Sequence, residues 1–291
     1  MGKKRFLVLC LTCVAIGVGA VALEWDELSS LWTPKQQEAP VIESVTEPES
    51  EPESEPGEQS ELVMMERFAD LYEQNNDLVG WIRVPNTKID YPVVYCADNA
   101  YYLNYDFNKK PSKSGVPFLD KDADLLVKNQ SLSIYGHYIN GVMFTDLHKY
   151  KKLDFYQNSP LFEFDSLYEE GTYKIFSVFY MAGNRSDGFF YYYPFSHFKD
   201  NDAFMKHVRQ LTVRSIFTIP VDVRPDDQLV LLTCCTYETN NLRLVVAGRK
   251  VRPGEEPSVN TDLAQINPTP LYPQKWYDAK GGKPPEFDPL R

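Results

Sequence analysis

The chain has 291 residues, 43% of them hydrophobic, and a formal net charge of −11, which is enough for one good-sized core with appendages. Residues 36–66 hold ten Glu and no Asp, Lys or Arg, so taking those ten charges away from −11 leaves −1. The remainder is nearly neutral, and without a basic face it offers nothing to nucleic acid.

The chain opens on "MGKKRFLVLCLTCVAIGVGAVAL". Lys3, Lys4 and Arg5 precede an uncharged run over 6–23. Its length matches a membrane-spanning helix, which needs about 17–25 residues, and exceeds the usual signal-peptide core of about 7–15. The rival reading is a cleaved signal peptide, for which Ala20-Val21-Ala22 offers small residues. The anchor is the expected form. Basic residues on its amino side place 1–5 in the cytoplasm and the rest outside, on a single-pass cell-membrane protein held to the lipid bilayer by 6–23. Residues 24–61, including "EPESEPESEPGEQSE", are acidic and Pro-punctuated, with little to bury. They read as a disordered spacer.

Order is expected to resume at Leu62. Met64, Phe68, Leu71 and Tyr72 recur at helical spacing, predicting a helix over 60–75. Seven strand-like runs follow, at 78–84, 88–95, 131–136, 172–181, 214–219, 229–235 and 243–251. Together with 19 Tyr and 17 Phe they predict a mainly β fold, closed or sandwich-like. Residues 201–213, with Asn201 or Asp202 as cap, read as one helix between two strands. Beyond Pro253, residues 253–291 form a Pro-rich tail that Trp276 and Tyr277 are placed to dock.

Three of the five cysteines, Cys96, Cys234 and Cys235, lie in the exported part, which is no disulfide scaffold. In "VLLTCCTYETNNLR" (Val230–Arg243) two of them end an apolar run. A cysteine there is either core packing or a nucleophile. An antiparallel hairpin is the simplest link between 229–235 and 243–251, and it makes Cys235 and Arg243 cross-strand neighbours about 4.5–5.5 Å apart. Thr233, Cys235 and Arg243 then share one face, with Cys234 on the other beside Leu232 and Val230. A fixed cation beside a thiol favours thiolate and offers donors to an oxyanion. Arginine does not act as a base, so a histidine is needed. His137, at a strand end beside Gly136, is the first candidate among His137, His148, His197 and His207.

"SIYGHYINGVMFTDLHKYKKLDFY" (Ser133–Tyr156) and "LLTCCTYETNNLRLVV" resemble the histidine and cysteine regions of class B sortases, transpeptidases that attach proteins to cell walls. "GWIRVPNTKIDYPVV" and "DNAYYLNYDFNKKPSKSGVPFLD" resemble the same class, and the likeness covers 62–252, the expected catalytic domain. The family motif Thr-Leu-x-Thr-Cys is followed by an arginine eight residues later. That spacing selects Cys235, with Leu231 and Cys234 standing where the motif has threonines. The resemblance implies a closed β-barrel of about eight strands, with N-terminal helices and a helix between the sixth and seventh strands. It implies Cys235 as nucleophile forming a thioester, His137 as general acid and base, and Arg243 as oxyanion donor. Thr233, on the same face, is either a substrate contact lining the site or a residue that simply fills a strand position. The resemblance further implies secreted donor proteins bearing a C-terminal sorting signal of Asn-Pro-x-Thr-x type. The acceptor is a peptidoglycan precursor or pilin lysine amine. No metal and no cofactor are implied. Two alternatives stand beside it: a cell-surface cysteine peptidase, and a membrane-anchored binding module on a catalytically decayed barrel.

Overall fold

The computed structural model describes residues 62–123, 130–139, 141–183, 197–235 and 242–283, all within one unit, Ser60–Arg291. The expected spacer and the run at 6–23 lie outside these residues. Among the described residues no helix is long and apolar enough to cross a membrane.

Eight strands form the core sheet. They are β1 (Leu78–Arg83), β2 (Asp90–Val94), β3 (Phe118–Leu119), β4 (Ser131–Gly136), β5 (Leu161–Ser166), β6 (Thr172–Ala182), β7 (Leu229–Cys235) and β8 (Leu242–Lys250). The pairing order is β1-β2-β3-β4-β7-β8-β6-β5, and β5 pairs back with β1, so the ring of pairings closes. Most neighbours are antiparallel, but β2 and β3 run parallel, as do β4 and β7. At the site it is the second pair that matters. Both therefore end at the same rim, which is what gathers the site.

Among the described residues five α-helices accompany the sheet: α1 (Ala69–Gln74), α2 (Tyr101–Asn104), α3 (Leu153–Asn158), α4 (Asn201–Thr212) and α5 (Gln274–Lys280). In chain order α4 falls between the sixth and seventh strands of the ring. Its cap is Asp200, one residue earlier than expected, whose carboxylate accepts from the Ala203 N–H at 2.7 Å. Phe204, His207, Val208 and Leu211 recur at helical spacing and are buried. They cover the outer face of β7 and β8, where Leu229, Leu231, Val245 and Ala247 point outward. Val230, Leu232, Cys234, Leu244 and Val246 point into the barrel. With both faces covered, β7 is apolar at nearly every position, as its sequence shows.

Several expectations need correction. The helix expected over 60–75 is a short 3₁₀ turn, Glu66–Phe68, followed by α1. The strand expected at 214–219 shrinks to Phe217–Thr218. It lies outside the barrel and pairs with Gln265–Ile266 of the C-terminal segment. Strands β3 and β5 were not expected from sequence. β3 is only two residues long, and β5 ("LFEFDS") carries two carboxylates on its outward positions while Phe162 and Phe164 fill the core.

The expected tail packs on the same unit over its described length. Asn267 Nδ2 donates to the Ser215 carbonyl at 2.7 Å, and Leu271 is buried. Trp276 stacks on Tyr272, ring centroids 4.3 Å apart, and lies 4.9 Å from Tyr180 of β6. Tyr277 packs edge-on to Tyr272, with centroids 6.3 Å apart. Glu255 pairs with Arg249, itself 1% exposed, and with Lys174 at 2.7 Å. These cations hold the Glu255 carboxyl well below the usual carboxylate range, the Arg249 hydrogen bonds contributing most.

Candidate active site

The register of four strands builds the site. Cys235 pairs with Arg243 across the β7–β8 hairpin, as the hairpin reading expects. Arg243 in turn pairs with Met181 on β6. On the other side Cys234 pairs with Gly136 in the parallel β4–β7 ladder, so the next residues along, His137 and Cys235, are neighbours. Cys235, Arg243 and Met181 thus form one row at the rim, with strands about 4.8 Å apart, and His137 follows the last pair of the β4 ladder beside it. Tyr135, Thr233, Val245 and Phe179 form the row two residues further along the strands.

The pleat then separates the two adjacent cysteines. Cys234 is 1% exposed and packs inside the barrel, whereas Cys235 is exposed. Arg243 Nη1 lies 3.5 Å from Cys235 Sγ, within hydrogen-bond range for sulfur. Asn99, Leu103, Asp120, Tyr135, His137, Thr233, Cys235 and Arg243 share one cleft of about 250 Å³. All four residues singled out from sequence therefore line a single cleft. Thr233 is at its buried floor, 3% exposed.

His137 Nε2 lies 2.8 Å from the Leu103 carbonyl at α2. A carbonyl only accepts, so this nitrogen carries a hydrogen, and Nδ1 is the ring atom whose proton can come and go. No feature of the sequence signals this contact, because it involves backbone. The other histidines lie elsewhere. His197 and His207 do not line the cleft, and His148 meets the Cys235 carbonyl rather than its sulfur.

The cleft lining also has a polar hub that sequence reading missed. Asp120, 4% exposed, accepts from Asn99 Nδ2 at 3.0 Å, from the Tyr135 hydroxyl at 2.9 Å and from the Asp122 N–H at 2.9 Å. Asn99 Oδ1 accepts from the Lys121 N–H at 2.8 Å, so its amide orientation is fixed. Among the described residues no group of three or more His, Cys, Asp and Glu is placed to hold a metal ion.

This arrangement can perform nucleophilic acyl transfer: a solvent-reachable thiol, a guanidinium beside it and an imidazole just past the end of the neighbouring strand. Comparison with known proteins points the same way. A family model described as the sortase domain matches residues 82–251. Sortase B of Listeria monocytogenes is 29% identical over 189 residues, covering 64% of this chain and 74% of that protein. The crystal structure of sortase B from Bacillus anthracis in complex with AAEK1 superposes with a TM-score of 0.59 at 27% identity, over 65% of this chain and 86% of that one. A Staphylococcus aureus sortase B–substrate complex gives the same TM-score at 26% identity and the same coverage.

Proposed function

The chain belongs to the sortase family, whose members are cysteine transpeptidases, and we propose that Cys235, His137 and Arg243 carry that reaction here. The observation that carries the reading is that Cys235 on β7, its cross-strand partner Arg243 on β8 and His137, one residue past the end of β4, line one cleft.

Cys235 Sγ attacks the scissile carbonyl of a donor peptide. A carbon–sulfur bond forms, and the carbonyl oxygen takes up the electron pair. The Arg243 N–H groups donate to that oxyanion. Collapse breaks the carbon–nitrogen bond, and His137 delivers a proton to the departing amine, leaving a thioester. An incoming amine then attacks the thioester. It gives its proton to His137, and the Cys235 thiolate leaves as the new amide forms. His137 thus returns to its starting charge over the cycle.

Sortases act on sorting signals and amine acceptors. For this chain the donor is a C-terminal signal of Asn-Pro-x-Thr-x type on a secreted protein. The acceptor is a peptidoglycan precursor or pilin lysine amine. Thr233 contacts the donor from the cleft floor. The protein is anchored in the cell membrane through 6–23, with 1–5 cytoplasmic and the acidic 24–61 as a spacer. The catalytic domain, 62–252, is outside, followed by the segment 253–291. The uncharged run and the basic residues before it support this topology.

The test is incubation of the protein with an Asn-Pro-x-Thr-containing peptide and a diamine, followed by mass spectrometry. The expected product is the peptide cut after Thr and amidated by the diamine. Release of free acid alone, undiminished at high amine, would make the protein a peptidase.

A further inference from the structure

One short segment holds the main chains of two of the three residues assigned the chemistry, His137 and Cys235. The Phe144 N–H donates to the His137 carbonyl at 2.9 Å. Four residues on, His148 Nε2 donates to the Cys235 carbonyl at 2.9 Å. Both belong to a 3₁₀ helix, Phe144–Lys151, whose Phe144, Leu147 and Tyr150 are fully buried in the barrel interior. The Tyr150 hydroxyl donates to the Ser159 carbonyl at 2.9 Å, tying the segment down further.

The chain enters this segment through Met143 at φ 51° and ψ −130°. A non-glycine residue holds such a backbone only where its surroundings enforce it. The His148 ring is itself seated against Tyr138, with centroids 4.2 Å apart. Cys235 needs such a support. Its ladder with β4 stops at the pair Gly136–Cys234, one residue short of the nucleophile, and strand ends open most easily.

We propose that His148 is a positioning residue for the transfer reaction. It closes a bracket, from the His137 carbonyl through the 3₁₀ helix to the Cys235 carbonyl, that fixes the separation of imidazole and thiol. The inference rests on the assignment of Cys235 and His137 made above. Acyl transfer requires reacting atoms within about 3–3.5 Å, so a small drift of the strand end slows chemistry without weakening peptide binding.

The experiment measures kcat and KM for the donor peptide in the full chain carrying His148→Leu or His148→Gln, with Cys235→Ala alongside and thermal melting of each. Gln places an amide donor near the position of Nε2. His148→Leu is expected to lower kcat about tenfold with KM within twofold, the effect of one lost hydrogen bond. His148→Gln is expected to return to within about threefold of the native kcat. Should His148→Leu fail to fold, His148→Asn, too short to reach the carbonyl, takes its place with the same expected loss.

Native kcat in His148→Leu overturns the bracket, as does a Gln variant as slow as Leu, or a loss confined to KM. If the pH–rate profile loses one limb in the Gln variant, His148 is a proton carrier and the positioning role is wrong. Transfer by Cys235→Ala would defeat the functional assignment and this inference together. An inactive Cys235→Ala beside a native His148→Leu would defeat this inference alone.

Discussion

Arg243→Lys keeps the positive charge and removes the planar fork. Arg243 reaches Cys235 Sγ with Nη1 at 3.5 Å, from the cross-strand partner position. A carbonyl carbon in attacking position sits about 3–3.5 Å from that sulfur, so its oxygen falls within reach of the same guanidinium. Lysine has three donors on one atom and a shorter effective reach, and it cannot bond sulfur and oxyanion in one plane. Losing one well-placed oxyanion donor costs about 2.7–4 kcal/mol, or 10²–10³ in rate. Arg243 is half-buried rather than enclosed, so water attenuates the loss and the lower end applies, about a hundredfold in kcat/KM. The assay is the initial rate of donor-peptide cleavage at saturating amine, with melting temperature as control. Turnover within threefold of native would reduce Arg243 to a structural contact.

Three further outcomes are expected from the packing around the site and under α4. Gly136→Ala puts a methyl 2.5 Å from Phe144 Cγ, so the residue before His137 must move. Stability should fall by about 1–3 kcal/mol in chemical denaturation, and peptide turnover should fall with it. Cys234→Thr alters a buried residue on the inner face of β7, and its rate of transfer should stay within about tenfold of native. Burial pushes the His207 imidazole down to about 4. Unfolded chains take up that proton near pH 6.5 and the folded one only near 4. His207 therefore leaves stability intact above pH 6.5 and lowers it as pH falls towards 4, by at most about 1.4 kcal/mol per unit. Denaturant titrations of native and His207→Leu protein across that range should show the shallower slope for the variant; parallel slopes would contradict a neutral buried His207.

The parts of the site that lie on one hairpin were legible in the sequence. β7 and β8 are apolar runs with a short polar gap, so their register, and with it the Cys235–Arg243 pair, follows from strand periodicity. The separation of Cys234 from Cys235 follows from the pleat alone. His137 was legible only as a histidine at a strand end. Its meeting with Cys235 depends on β4 and β7 being parallel neighbours, a long-range fact that no local spacing encodes.

On β6 a bulge opposite Ala247 and Gly248 switches the alternation. Ile175 and Val178 both face the barrel, while Phe176 and Phe179 both face α4. A simple period-two reading of "TYKIFSVFYM" fails at that point. The Leu103 and Cys235 carbonyl contacts are invisible for a different reason: any residue type supplies a carbonyl. In the Pro-rich C-terminal segment the aromatics were the legible part: Trp276 and Tyr277 pack on Tyr272, and Trp276 on Tyr180, while the burial of Leu271 had no local signal.

Trapping the acyl-enzyme tests the central claim most directly. The native protein is incubated with an Asn-Pro-x-Thr-containing donor peptide in the absence of amine, quenched in acid, digested and fragmented by mass spectrometry, which distinguishes the adjacent cysteines. The thioester mass is predicted on Cys235, and none is expected in Cys235→Ala. An acyl group found on Cys234 or Cys96, or transfer that persists in Cys235→Ala, would contradict the assignment of Cys235 as the nucleophile.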